Sequence, residues 1–218
     1  MRGFLVKNKI FLILCFIWIL LLTPLIILVP KGTSHLFINK YHLSETDIFF
    51  KYFTNLGDGL VPVLIAFVLV FFSYRKSLLI LASGSIAGIL AQLIKRFIDL
   101  SNFRPIKFFE SSTLHLVQGV KMYTDFSFPS GHSATIFALC LSLASILPSK
   151  FWKIVLFCTA VLVAYSRVYL SQHFLVDIYA GSIIGILSAT IVIIFLDKQN
   201  NNWLDSSFTK TIIMKRKG

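Results

Sequence analysis

The sequence predicts an all-α integral membrane protein, a single bundle of six spanning helices. Three observations carry this. Hydrophobic residues make up 56% and charged residues 14% of the 218 residues, whereas a soluble domain carries about 25% charged. Apolar runs recur at 10–30, 58–73, 77–95, 130–147, 153–169 and 176–196, most of them close to the length needed for a hydrocarbon core about 30 Å thick. Polar turns separate the runs, with no internal repeat or low-complexity tract, so 1–218 reads as one domain.

The first run lies between Lys9 and Lys31 and ends in Leu-Val-Pro-Lys-Gly. It is too long for a signal-peptide core and lacks a small-x-small cleavage site, so it reads as a retained span. A mixed segment follows. In it Ser44-Glu45-Thr46-Asp47 resembles a capping box, and Phe49, Phe50, Phe53 and Leu56 follow at near-helical spacing, predicting an amphipathic helix over 44–56 at the membrane surface. Gly57-Asp58-Gly59 breaks it. The second and fifth spans are short by charge-free counting and are expected to extend past polar flanks that face protein. The fourth ends at Pro148-Ser149-Lys150, and a polar tail follows the sixth.

Arg2, Lys7 and Lys9 precede the first span, and Arg75-Lys76, Lys150, Lys153 and the terminal Lys210, Lys215, Arg216 and Lys217 fall on the same side of a six-span chain. The positive-inside rule makes that side cytoplasmic, with both termini inside. The segments 95–105, 129–132 and 166–177 then meet at the outer face, and a cysteine placed at Ser112 should be reachable from outside. The net charge of +12 forms no basic stripe with interleaved aromatics, so nucleic acid is not the expected partner; anionic lipid head groups or an anionic substrate are. Cys15, Cys140 and Cys158 lie inside apolar runs without metal-ligand or paired spacing and read as small buried hydrophobes. His35, His42 and His115 are scattered through outer loops and read as solvated.

The unusual polar residues cluster in those three outer segments. Phe128-Pro129-Ser130-Gly131-His132 opens the fourth helix: Ser130 can cap it, Gly131 lets a ligand approach the backbone, and the helix N-terminus favours an anion. His132 sits in the first turn. His173 and Asp177, four apart, share a helix face. An Asp that accepts from one imidazole nitrogen fixes the tautomer and frees the other nitrogen to attack. Arg167 can bind phosphate oxygens bidentately, and Lys95 and Arg104 donate charge-assisted hydrogen bonds. Each segment alone also fits an ordinary role, as a helix cap, a surface His–Asp pair or snorkelling cations. Their convergence on one bilayer face describes a phosphate cradle with a nucleophile and an acid. No ligand set for a metal is visible, no cofactor is implied, and three cations would repel a divalent ion.

Lys95…Arg104-Pro105, Pro129-Ser130-Gly131-His132 and Ser166-Arg167-x5-His173-x3-Asp177 resemble the three-part signature of the type 2 phosphatidic acid phosphatase superfamily, which includes the vanadium haloperoxidases. The second and third parts match in full. The first is longer than the family's Lys-x6-Arg-Pro: eight residues separate Lys95 from Arg104, and seven separate Arg96, which leaves Lys95 or Arg96 to fill the role. The resemblance implies a haloperoxidase-like phosphatase core and metal-independent removal of phosphate from a lipid phosphate or pyrophosphate. In it His173 is the nucleophile, Asp177 orients it and His132 protonates the leaving oxygen. Lys95, Arg104, Arg167 and the Ser130-Gly131 backbone hold phosphate. Undecaprenyl pyrophosphate, phosphatidylglycerol phosphate, phosphatidic acid and lipid A phosphates all fit, with substrate choice expected in 106–128 and in the grooves between helices. A phosphotransferase using the same site, or an inactive lipid-phosphate carrier, are the alternatives. A bacterial inner membrane with the site on its outer face is the expected location.

Overall fold

The computed structural model describes residues 2–97, 102–109 and 113–209. Within them the chain is helical: α1 (Arg2–Leu28), α2 (Lys31–Lys40), α3 (Ser44–Phe53), a 3-10 turn (Thr54–Gly57), α4 (Leu60–Val70), α5 (Tyr74–Phe97), α6 (Pro105–Phe108), α7 (Gly131–Ile146), α8 (Lys150–Tyr169) and α9 (Leu175–Asp197). Ser112, 98–101 and the basic tail 210–218 lie outside the described residues.

Every apolar run holds a helix, but the helices are not six equal spans. Among the described residues α1, α5, α8 and α9 are long and apolar enough to cross a membrane; α3 with its 3-10 turn and α4 add a fifth span if that pair, bent by 56°, counts as one. The straight span expected at 58–73 is replaced by α4, whose 11 residues rise about 16 Å, half a bilayer core. The reason is local. Asp58, just ahead of the Gly59 N-cap, accepts from the Leu60 amide at 2.8 Å where the chain bends into α4, while the chain turns again at Phe71–Ser73 although those residues are mostly apolar. α7 has 16 residues, bounded by Pro129 and Pro148.

α7 is the central post. It packs against α9, α5 and α8, and α1 crosses the outside of α7, α8 and α9. Twelve residues of α7 from Ser133 to Ser145 are buried, so this helix has no lipid face. Small residues permit the closest approach: a Cβ on Gly181 of α9 would lie 2.5 Å from the Ser130 carbonyl oxygen and 2.9 Å from Ser133 Cβ. Below that contact the indole of Trp18 on α1 stacks on Phe137 and donates to Ser182 Oγ at 3.2 Å.

Two segments depart from expectation. Residues 31–40 form α2, which starts behind Pro30 and buries His35 and Asn39, four apart on one face. The 44–56 helix packs against the protein, with Phe50 buried between Tyr165 and Tyr169 of α8. It starts at Ser44, with Leu43 and not Ser44 as the N-cap and the Thr46 hydroxyl accepting from the Leu43 amide at 3.1 Å.

Candidate active site

Four helix ends meet at one end of the bundle. Lys95 lies in the last turn of α5, Ser130 caps α7, Arg167 lies in the last turn of α8 and Asp177 in the first turn of α9. The α7–α9 contact sets their register, because the Ser130 amide donates to the Asp177 carbonyl at 2.9 Å. That bond places the first turn of α9 beside the first turn of α7, and with it the histidine four residues before Asp177.

His173 sits in the 170–174 turn between α8 and α9, which the Arg167 carbonyl holds by accepting from the Gln172 and His173 amides at 2.9 and 3.0 Å. His173 Nδ1 is 3.2 Å from Asp177 Oδ2, and the two side chains are only 2% and 1% exposed. The same oxygen accepts from the Phe174 amide at 2.9 Å and from Ser127 Oγ, so the carboxylate is locked in place before it meets the imidazole. Burial pushes His173 well below the ordinary imidazole range, and the nearby positive charges of Arg104, Arg167 and Lys95 push the same way. The ring is therefore neutral at physiological pH, with Nδ1 turned to Asp177 and Nε2 the nitrogen left to act.

Three buried cations face this pair. Arg104 donates from Nε to the Asp125 carbonyl at 2.9 Å and from Nη1 to the Gln172 carbonyl at 3.1 Å. Arg167 donates from Nη1 to Thr54 Oγ1 at 2.9 Å, and its buried Nε has no protein partner. Lys95 is 8% exposed and feels the charges of Arg104, Asp177 and Arg167. Arg96 is exposed and turned instead to a groove between α4 and α5. Of the two cations that could begin the lengthened first motif, the structure brings Lys95 to the cluster; 98–101, between it and Arg104, lie outside the described residues.

His132 lines a polar cavity of about 350 Å³ together with Arg167, Gln172, Thr54, Lys51 and Lys121. A Cβ on Gly131 would meet no atom within 4 Å, so the space over the α7 N-terminus is open to a ligand. Ser130 caps α7 as expected. Its amide is taken by Asp177, and its hydroxyl accepts from the Ser133 amide at 3.3 Å and bonds the Ser133 hydroxyl at 2.9 Å. Ser130 holds the helix end, and the donors left facing an anion are the amides of Gly131 and His132, which precede the first intrahelical bond. Among the described residues no three His, Cys, Asp or Glu side chains converge as a metal-ligand set.

Reading the sequence missed three residues of this site: Ser127, which bonds the carboxylate; Gln172, whose carbonyl and Oε1 both accept from Arg104; and Thr54, which seats Arg167. Ser127 and Gln172 adjoin motif residues, but nothing in their spacing announces a role. The expectation of solvated outer histidines is also corrected. His35 is fully buried, stacked on Phe109, edge-on to Phe174 and bonded to Ser171 Oγ at 3.2 Å. His115 bonds Asp47 Oδ2 at 2.8 Å under a stacked, exposed His42. Cys158, expected to be buried, is exposed on the outside of the bundle.

Residues 73–201, well over half of the chain, match the PAP2 superfamily, and that stretch contains all eight of the expected site residues. The chain belongs to the PAP2 superfamily. Among PAP2 relatives it is 30% identical to an undecaprenyl-diphosphatase of Sulfolobus acidocaldarius over 125 residues, 57% of each chain. It is 30% identical to a lipid A 4'-phosphatase of Porphyromonas gingivalis over 82 residues, 38% of this chain and 35% of that one. The chain thus matches a little over half of one curated relative's length and about a third of the other's. The crystal structure of Aquifex aeolicus LpxE superposes with a TM-score of 0.65 at 28% identity, covering 74% of this chain and 93% of that one. A transmembrane PAP2-type phosphatidylglycerolphosphate phosphatase of Bacillus subtilis shares the fold, with a TM-score of 0.65 at 24% identity over 92% and 99% of the two chains. With its apolar helices, this PAP2 chain is an integral membrane protein.

Proposed function

We propose that the protein is a metal-independent lipid phosphatase that works through a phosphohistidine at His173. The observation that carries this reading is the buried His173–Asp177 pair facing Lys95, Arg104 and Arg167. A buried neutral imidazole with an oriented tautomer is a nucleophile. Three desolvated cations and the α7 N-terminus are what a phosphoryl group spreading charge over its equatorial oxygens needs. His173 Nε2 attacks phosphorus while the bond to the leaving oxygen breaks. His132, on the cavity wall, protonates that oxygen. Water then attacks that phosphorus as its bond to His173 Nε2 breaks, His132 takes back a proton from the water, and orthophosphate leaves. The Gly131 and His132 amides join the cations in holding the oxygens.

The lipid half of the reading draws on the relatives' names and on an apolar groove of about 460 Å³ between α4 and α5, lined by Pro62, Val63, Leu81, Gly84 and Ile89, that reaches Thr135, one turn from His132. It can seat a tail while the head group stays at the bundle end. The basic residues around Arg75 and Lys150 support cytoplasmic termini and a site at the outer face of a bacterial inner membrane. A cysteine at the exposed loop position Gln118 should then react with an impermeant reagent on intact cells. Reaction only after lysis reverses the orientation.

The test of function is phosphate release by detergent-purified protein, in excess EDTA, from a panel of lipid phosphates, beside His173→Ala. Release that survives EDTA and is lost in the variant supports the reading. No release from any lipid by folded protein removes it; transfer to an added alcohol and not to water makes the protein a phosphotransferase.

A further inference from the structure

We propose that Lys51 and Lys121 form a second anion site at the mouth of the cavity, and that the substrates this site selects are lipid diphosphates. The proposal rests on the phosphatase reading above and names its substrate class.

Lys95, Arg104 and Arg167 surround the phosphoryl group that meets His173. Lys51 and Lys121 belong to neither those helices nor the signature segments. They come from α3 and from the 113–124 loop, and they line the same cavity as His132 and Arg167. His132 faces the leaving oxygen, so whatever is attached to that oxygen occupies this cavity. Its volume of about 350 Å³ is more than a single phosphoryl group fills.

Lys51 is held in place, and Lys121 is an exposed residue of the same lining. Lys51 Nζ donates to the Gln118 carbonyl at 2.8 Å, which leaves two of its three N–H donors for a ligand. The approach is possible because residue 119 is glycine: its φ is +75°, and a Cβ there would lie 2.6 Å from Lys51 Nζ. The Lys121 ammonium lies 5.1 Å from the centroid of the Tyr123 ring, and the Arg104 guanidinium lies 5.2 Å from the same centroid. Tyr123 therefore joins a mouth lysine to a cation of the phosphoryl site. Among the described residues the acidic side chain lining this cavity is Asp58, whose Oδ1 is engaged by the Leu60 amide. Two ammonium groups against one capped carboxylate leave the mouth positive, which suits a second phosphate and gives nothing particular to a neutral alcohol.

The chemistry agrees. With a lipid diphosphate, the Nε2–P bond forms at the terminal phosphorus as its bond to the bridging oxygen breaks. The bridging oxygen keeps the electron pair and departs with the lipid as a monophosphate. The charge gained on that leaving phosphate falls where Lys51 and Lys121 lie. With a lipid monophosphate the leaving group is an alcohol and the two lysines have nothing to hold.

The test compares farnesyl diphosphate with farnesyl phosphate, which share one tail, on full-length protein in detergent. The readout is the ratio of their kcat/KM values for wild type, Lys51→Gln/Lys121→Gln and Lys51→Arg/Lys121→Arg. Wild type should prefer the diphosphate, the Gln pair should lower the ratio about tenfold or more, the worth of one or two charge-assisted hydrogen bonds, and the Arg pair should keep most of the preference. The ratio cancels any loss of folded protein. A wild type that prefers the monophosphate, or a Gln pair with an unchanged ratio, overturns the proposal. Release from neither lipid, with release from a different lipid phosphate, overturns the substrate class alone; release from no lipid fails the phosphatase reading, and the proposal falls with it.

Discussion

Helices α7 and α1 are both apolar, yet they do opposite jobs. α1 is the longer, and residues such as Leu20, Leu21 and Ile27 along it are more than half exposed. α7 is shorter, carries Ser133, Thr135, Ser142 and Ser145, and is buried on every side. In water the most hydrophobic helix seeks the centre; in a bilayer lipid tails solvate it as well as protein does, so close packing of small residues decides the centre instead. The functional end follows from this. α7 can present Gly131 and His132 to a fixed point because α5, α8 and α9 all grip it.

The contrast can be broken most severely at the α7–α9 contact. A Cβ on Gly185 would fall on the Ala134 carbonyl and 2.9 Å from Phe137 Cβ. Gly185→Val should therefore prevent accumulation of folded protein or cut activity more than about 100-fold, because backbone cannot move aside as a side chain can; membrane yield and specific activity check it. Next is Arg167→Lys, which keeps the charge and loses the planar fork. A fall in kcat/KM of roughly 10- to 100-fold is expected, and near-normal turnover would take Arg167 out of the phosphate site.

Ser127→Ala removes a hydrogen bond to the Asp177 carboxylate and leaves the main chain intact. A bond to a buried charge contributes about 1.5–3 kcal/mol, so kcat should fall about tenfold or more while KM changes little. Equal effects on both would mean that Ser127 only stabilises the fold.

Between the two extremes lies α2, held by His35. Burial lowers its pKa to about 4. Because the folded value is depressed, the neutral ring's contribution is complete above the ordinary value of about 6.5 and is lost progressively as pH falls from there toward 4. Thermal stability should drop between pH 7 and 5 by on the order of 1–2 kcal/mol, and His35→Gln should flatten that drop in a melting series. The smallest effect belongs to α1: Leu20→Ala on the lipid face should change activity less than about twofold and stability by less than about 0.5 kcal/mol.

How much of this was legible follows from the physics of each signal. Apolar runs are visible one residue at a time, so the positions of the six runs read directly, but a run is not a helix length. At 58–73 hydropathy continues through Phe71 and Phe72 while the backbone has already turned, which is why α4 came out as half a span. The signature residues were readable because their spacing is local: four residues bring His173 onto the face of Asp177. Lys95 and Arg96 are adjacent, and only the rotational phase of α5 against its neighbours turns one inward. Ser127 acts on a carboxylate 50 residues away, and His35 packs on Phe109 and Phe174, so neither role exists until the chain has folded.

The most direct test of the central claim is to trap the phosphoenzyme. Protein mixed with a radiolabelled lipid phosphate is quenched in alkali within the first turnover and digested, and the labelled peptide is sequenced. The account predicts an alkali-stable, acid-labile phosphate on His173, absent from His173→Ala. Label on any other residue, or steady turnover by His173→Ala, would contradict it.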